Sequence, residues 1–413
     1  MLTACVAFCS LSILCGGAAA FGGDALAPAP AAPFRAPYLP TNDGERLQEV
    51  PSTADTAVGE MRRLRADLDA QPQDLPAAIQ LADAYIDYSR QIGDAHYAGY
   101  AEAVIAPWMS HATPPPSALL TQATILQYRH QFKEARDLLQ KSLRLEPRNG
   151  QAWLTLATLD MVQGDYAAAG KGCAQVSHNA GLEVGLACLG NLRSYTGQAQ
   201  QSLVLLRQTE ASSGRLPAAY QAWIKGLIAE TAERLGDWPL AEAHYRSALQ
   251  LLPQDNFLLV AYADFLLDRG RNKEIFPLLI GHAQSDTAFL RLALASSALQ
   301  SPDATRYTWI MAARFEALKL RGSDYFGREE ARFALHLTHD PQTALALATR
   351  NWQVQRAPWD ARVLLEAALA AHQPEAAAEV VDFIQTTHLE DAMVLPLAQQ
   401  VREQLHTAPG ARP

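Results

Sequence analysis

One spacing constrains this chain more than any other feature. In RLGDWPLAEAHYRSALQLLP (234–253), Gly236 is followed five residues on by Ala241 and four further by Tyr245, and the stretch closes on Pro253. The same offsets recur elsewhere. Turn glycines stand at Gly164, Gly197, Gly236 and Gly270, and His130 holds the equivalent place earlier, so the ticks fall 34, 33, 39 and 34 residues apart. Seven residues before each tick is a small residue: Ala123, Ala157, Gly190, Ala229 and Ala263. Five after come Ala135, Ala169, Ser202, Ala241 and Ile275, and four further come Leu139, Cys173, Leu206, Tyr245 and Leu279.

Each offset has a physical reason. Two antiparallel helices approach closely only where the residues at their crossing are small. A glycine ends the first helix, and Pro147 and Pro253 stop the second. The chain is rich in leucine and alanine and modest in β-branched residues, which favours helix over strand. A unit of this size cannot bury its own apolar face, so neighbours must stack. An alanine-rich bundle with chance spacing would not hold this register over five units. The fold class expected is all-α.

This pattern resembles the tetratricopeptide repeat family, whose period is 34 residues. The resemblance implies a right-handed superhelical solenoid of helix-turn-helix repeats, and it is tightest over residues 116–283. Residues 53–115 read as N-terminal helices and a degenerate first repeat. Its long turn, YSRQIGDAHYAGY, gathers tyrosines and an Arg90–Asp94 ion pair suited either to capping or to an interface. Residues 284–406 read as further repeats, with turns at Asp340-Pro341 and Gln373-Pro374 and a capping helix in LEDAMVLPLAQQVREQLH. Residues 407–413 read as a disordered tail.

The start of the chain points to export. MLTACVAFCSLSILCGGAAA (1–20) is uncharged and ends in small residues, the pattern of a signal peptide without its usual positive start. A membrane anchor and a misassigned start are the competing readings. Leu14 before Cys15 argues against lipoprotein processing. The Pro/Ala-rich stretch over 21–52 reads as an extended tether. Three of the five cysteines lie in the leader. The remaining pair, Cys173 and Cys188, falls on consecutive antiparallel helices about equidistant from their turn, which fits either a disulfide or two core thiols.

A net charge of -9 leaves no basic surface for phosphates, which excludes nucleic acid as a partner but not a membrane protein. The sequence holds no G-x-S-x-G, H-E-x-x-H or C-x-x-C motif and no phosphate-binding glycine loop. No catalytic residue, metal site or cofactor is therefore assigned. His336, His339 and Asp340 read as helix-end residues.

The family resemblance implies a concave groove lined by the first helix of each repeat and occupied by a protein or peptide. Off the stripe of small packing residues, the groove candidates are Thr124, Gln127 and Tyr128; Thr158 and Met161; Asn191, Ser194 and Tyr195; Glu230, Glu233 and Arg234; and Asp264 and Asp268. The acidic side of this set argues against capture of a peptide carboxylate and for a basic or neutral extended segment. Two binding functions follow, an exported scaffold or adaptor and a periplasmic assembly factor that holds extended clients. An enzyme using the acidic cluster is the remaining class.

Overall fold

Helix pairs stack along the chain. The computed structural model describes residues 56–93, 96–320 and 327–407; the expected leader, the spacer, Asp94 and the tail beyond Thr407 lie outside the described residues. An opening helix, α1 (Thr56–Ala70), precedes nine pairs among the described residues. They are α2 (Leu75–Ile92) with α3 (His96–Met109), α4 (Pro116–Tyr128) with α5 (Phe132–Leu145), and α6 (Gly150–Val162) with α7 (Tyr166–Asn179). Next come α8 (Leu182–Ser194) with α9 (Ala199–Ser212), α10 (Ala218–Arg234) with α11 (Trp238–Leu251), and α12 (Asn256–Asp268) with the short α13 (Ile275–Leu279). The last three are α14 (Asp286–Ala298) with α15 (Ala304–Leu320), α16 (Gly327–His336) with α17 (Pro341–Trp352), and α18 (Pro358–Ala370) with α19 (Ala378–Thr387). A final helix, α20 (Val394–Thr407), packs on α18 and α19. The architecture is all-α, and no described helix is long and apolar enough to cross a membrane.

Every pair turns on a residue with positive φ: Gly93, His130, Gly164, Gly197, Gly236, Gly270, Gln300, His339 and His372. The turn is held by the backbone. The amides of Asp165, Asp237, Ser301 and Gln373 reach back five residues to the carbonyls of Asp160, Ala232, Ser296 and Ala368, the bond that closes a helix through a left-handed residue. Asp165, Asp237 and Asp340 then cap the following helix through the amides of Ala168, Leu240 and Thr343. The period therefore continues past Gly270 with Gln and His in the glycine position. This is why the pattern of glycines fades there while the geometry does not.

The crossing residues are buried as their size requires. A Cβ on Gly190 would come within 2.6 Å of Leu206, and one on Gly172 within 2.8 Å of Ala157. Ser202 fits the small position opposite by donating its hydroxyl to the Gly190 carbonyl at 2.6 Å. Cys173 on α7 and Cys188 on α8 are buried and joined by a disulfide, with their Cα atoms 5.4 Å apart.

The later repeats return onto the earlier ones. The Arg356 amide, after α17, donates to the Val162 carbonyl at 2.7 Å, and the Ala392 amide, after α19, donates to the Arg234 carbonyl at 2.8 Å. A Glu390 carboxylate oxygen accepts from the Ala199 amide at 2.8 Å. Phe383 packs between the rings of Tyr166 and Trp352 and against the Gly164 turn. At the other side α2 meets α12, and Gly93 abuts Ser285. The loops closing α17 and α19 thus seal onto the turns that end α6, α8 and α10.

Candidate functional site

Where the later repeats meet the earlier ones, the concave face holds a partly open cavity of about 560 Å³. The polar seam just described narrows this space on one side. Of the residues expected to face the groove, Gln127, Tyr128, Thr158, Met161, Asn191, Tyr195, Glu230, Glu233, Arg234, Asp264 and Asp268 line the cavity. Thr124 does not. It is buried within the packing of α4 and donates its hydroxyl to the Leu120 carbonyl at 3.0 Å. Ser194 is likewise buried, donating to the Asn191 carbonyl and accepting from Arg234.

The facing wall comes from residues that the repeat pattern does not reveal: Arg291 on α14, Arg328, Glu329 and Arg332 on α16, Arg362 on α18 and Asp391 before α20. One signal was present in the sequence. Arg291 interrupts an otherwise apolar helix, DTAFLRLALASSA, where a charge must find a buried partner.

The charged residues form two groups. In the first, Arg291 is only 1% exposed and grips Asp264 through Nε at 3.0 Å and Nη2 at 2.6 Å while also bonding Glu329. Arg332 binds the same Asp264 at 2.9 Å, and Arg328 binds Glu329 at 2.8 Å and lies 3.7 Å from Asp360. Burial alone would raise the two carboxyls, but Arg291 and its neighbours outweigh it. Glu329 is held at about 2 and Asp264 well below the usual range. Three guanidiniums meet three carboxylates, so this group is balanced and ties α12, α14, α16 and α18 together.

The second group has excess acid. Arg234 stacks on the Tyr195 ring at 4.8 Å, donates to Ser194 Oγ at 3.0 Å and lies 3.7 Å from Glu230. Arg362 is taken by Asp268, at 2.6 and 2.7 Å, and by Glu366 at 2.8 Å. Glu233 accepts the Tyr245 hydroxyl at 2.8 Å, and Asp391 accepts the amides of Met393 and Val394. Burial, with Asp268, Asp391 and Glu230 nearby, pushes Glu233 up to about 8 despite the Tyr245 bond.

Four residues that line the cavity each carry a polar atom that is closed off from solvent and has no hydrogen-bond partner among the described residues: Arg90 Nη1, Asn191 Oδ1, Arg234 Nε and Asn256 Oδ1. Buried polar atoms in proteins are nearly always satisfied by protein, water or ligand.

The other sequence candidates make structural contacts, and of them Arg90, His130 and His336 also line the cavity. Tyr85, Tyr88, Tyr97 and Tyr100 form a ring cluster with centroids 4.7 to 6.1 Å apart between α2 and α3, and Arg90 lies 3.9 Å from Asp87. His339 occupies a turn, Asp340 caps α17, and His336 approaches Glu366 at 3.5 Å. Among the described residues no group of three or more His, Cys, Asp or Glu side chains is arranged to hold a metal.

The fold is an array of stacked helix pairs, and comparison with known proteins gives the repeat type for one part of it. Residues 127–181, the α5 to α7 region with the turns on either side, match the tetratricopeptide repeat family model. Among solved structures, the chain is similar to the crystal structure of the APC/C hetero-tetramer Cut9-Hcn1, at 12% identity and a TM-score of 0.40 over 84% of this chain and 52% of that one. It is also similar to yeast Tom70, at 8% identity and a TM-score of 0.38 over 86% of this chain and 88% of that one. The chain thus spans about half the length of the first of these. No curated protein sequence matches it.

Proposed function

We propose that this chain is an exported tetratricopeptide adaptor that holds a short extended segment of a protein partner inside its closed superhelix. The observation that carries this reading is the cavity wall itself. It is built from the inward faces of consecutive first helices, which present polar, charged and aromatic side chains to one space. Tetratricopeptide repeats are protein-interaction modules, and their inward face is the receiving surface. The size favours an adaptor over a holder of many clients. About 560 Å³ suits a few residues of extended chain, whereas a holder needs a broad open surface. Export rests on the uncharged leader, and the Cys173–Cys188 disulfide suits an oxidising compartment.

The test is photocrosslinking in the native cell, with the photoreactive residue placed at Asn191 inside the cavity or at Lys171 on the exposed side of α7. The reading expects one product from position 191, mapped to a single short segment of an envelope protein, and none from 171. Equal products from both positions, or none from 191, would refute it.

A further inference from the structure

We propose that the seam is a clasp: α16 to α20, carrying the 388–393 loop as their leading edge, swing away from α4 to α10 as one body and let a partner segment into the cavity from the side. This rests on the reading that the cavity takes a protein segment, and it names the way in.

Two kinds of contact hold the array, and they differ in chemistry. Consecutive repeats share buried apolar side chains, and such a join cannot part without exposing them to water. The seam is not of that kind. The buried apolar cluster that runs from Leu154 to Leu258 and the one that runs from Ala331 to Val401 have no member in common. What crosses between the two bodies is mainly polar and lies at the turns. The Gln355 side-chain amide donates to His130 Nδ1 at 3.1 Å, the Arg356 amide to Val162 O, the Ala199 amide to a Glu390 carboxylate oxygen and the Ala392 amide to Arg234 O. A ring contact, Phe383 with Tyr166, also spans it, and both rings are only half-buried. Water can replace each of these hydrogen-bond partners, so parting them costs little net. A segment inside a folded partner has no free end to thread and must enter sideways. The seam is a side that can part without uncovering a core.

The same body is held differently along α12. Asp264 takes Arg291 of α14 and Arg332 of α16, and Asp268 takes Arg362 of α18 at 2.6 and 2.7 Å. These charge pairs put the pivot at α12. The loop also keeps its shape on release. His388, with φ of 55°, turns the chain out of α19 with its amide on Gln385 O, Leu389 is buried in the core of its own repeats, and Asp391 caps α20 by accepting the amides of Met393 and Val394. Asp391 faces Arg234 across the seam but also Arg362 on its own body, and Arg234 has Ser194 and Glu230 on its own side. Neither charge is stranded when the clasp opens.

The experiment locks the seam. A Cβ on Gly236 would stand 3.9 Å from that of Ala392, inside the roughly 3.5 to 4.5 Å that a disulfide spans. The full chain with Gly236→Cys and Ala392→Cys is then clasped when oxidised and free when reduced, and the unaltered chain under both conditions controls for Cys173–Cys188. Hydrogen exchange is read at the Arg356 and Ala199 amides. In the reduced chain both should exchange faster than the helices around them, and in the oxidised chain both should slow at least about tenfold, because one opening exposes them together. Glu390→Ala trims an exposed side chain and should act in the opposite sense, speeding Arg356 about three- to tenfold through the loss of one charged hydrogen bond, with circular dichroism unchanged. An Arg356 rate indifferent to the lock and to Glu390→Ala overturns the clasp. In the cell, the crosslink from the photoreactive residue at Asn191 should vanish in the double-cysteine chain and persist with either cysteine alone. A full product from the locked chain overturns entry through the seam and leaves the cavity reading in place. No product from the single-cysteine and unaltered chains overturns that reading, and entry with it.

Discussion

Replacing Arg291 by methionine removes a side chain on α14 that bonds both α12 and α16. Arg291 is 1% exposed and bonds two carboxylates, Asp264 and Glu329. Breaking a buried pair by removing one partner costs about 3 to 5 kcal/mol. Here each carboxylate keeps another guanidinium, Arg332 for Asp264 and Arg328 for Glu329. The lower end, about 3 kcal/mol, is therefore expected. With a urea slope near 3 kcal/mol/M, the top of the small-protein range, the unfolding midpoint read by tryptophan fluorescence falls by about 1 M. The pH dependence gives a second check. Both carboxyls are depressed in the folded state, so the stability they contribute is fully present above the ordinary carboxylate value and lost as pH falls toward the folded value, about 2 for Glu329. The gap between the unaltered chain and Arg291→Met should narrow between about pH 4 and pH 2. A midpoint shift below about 0.3 M, equivalent to about 1 kcal/mol, would refute the packing of α16 against α12 through this arginine.

Three further outcomes follow from particular contacts. Gly164→Ala should lower the melting temperature more than Gly270→Ala. Both impose a left-handed strain of about 1 to 2 kcal/mol, but a Cβ at 164 also meets Phe383 at 3.0 Å, whereas nothing lies within 4 Å at 270; equal losses would mean Phe383 does not pack there. His339→Gly, at an exposed turn with φ of 53°, should stabilise the chain by up to about 1 kcal/mol in the same urea assay, and destabilisation would contradict the turn geometry. Reducing Cys173–Cys188, which lie 15 residues apart, should cost about 3 kcal/mol. Mass analysis should find both thiols alkylated only after reductant, and alkylation without it would contradict the bond.

How much of this was legible in the sequence depends on how local each feature is. The repeat was legible because its determinants sit within one helix pair: Gly236 must leave the helix, and Ala229 and Ala241 must let two helices touch. The array beyond Gly270 was harder to read because backbone bonds hold Gln300, His339 and His372 in the glycine conformation, so the punctuation is present in φ and absent from the letters. Eleven of the thirteen residues expected to face the groove line the cavity, because the inward face of a first helix follows from its phase against the packing stripe. Thr124 fails that rule because it points into the packing with its neighbours, where a hydroxyl can bond its own helix. The closure was not legible. It depends on small rotations summed over nine pairs, which bring Arg356 to Val162 and Arg362 to Asp268 across a separation of 94 residues or more. No local pattern encodes such a sum.

The central claim is that the superhelix closes on itself around the cavity, and amide exchange at two loop positions tests it most directly. The Arg356 and Ala392 amides lie outside any helix, and each has its acceptor, Val162 O or Arg234 O, on a distant repeat. Hydrogen exchange resolved at these residues should be slowed on the order of a hundredfold or more relative to an unprotected loop amide, as an opening free energy of about 3 kcal/mol requires. Exchange of both at the unprotected rate, with the helices on either side still protected, would show an open array and contradict the account.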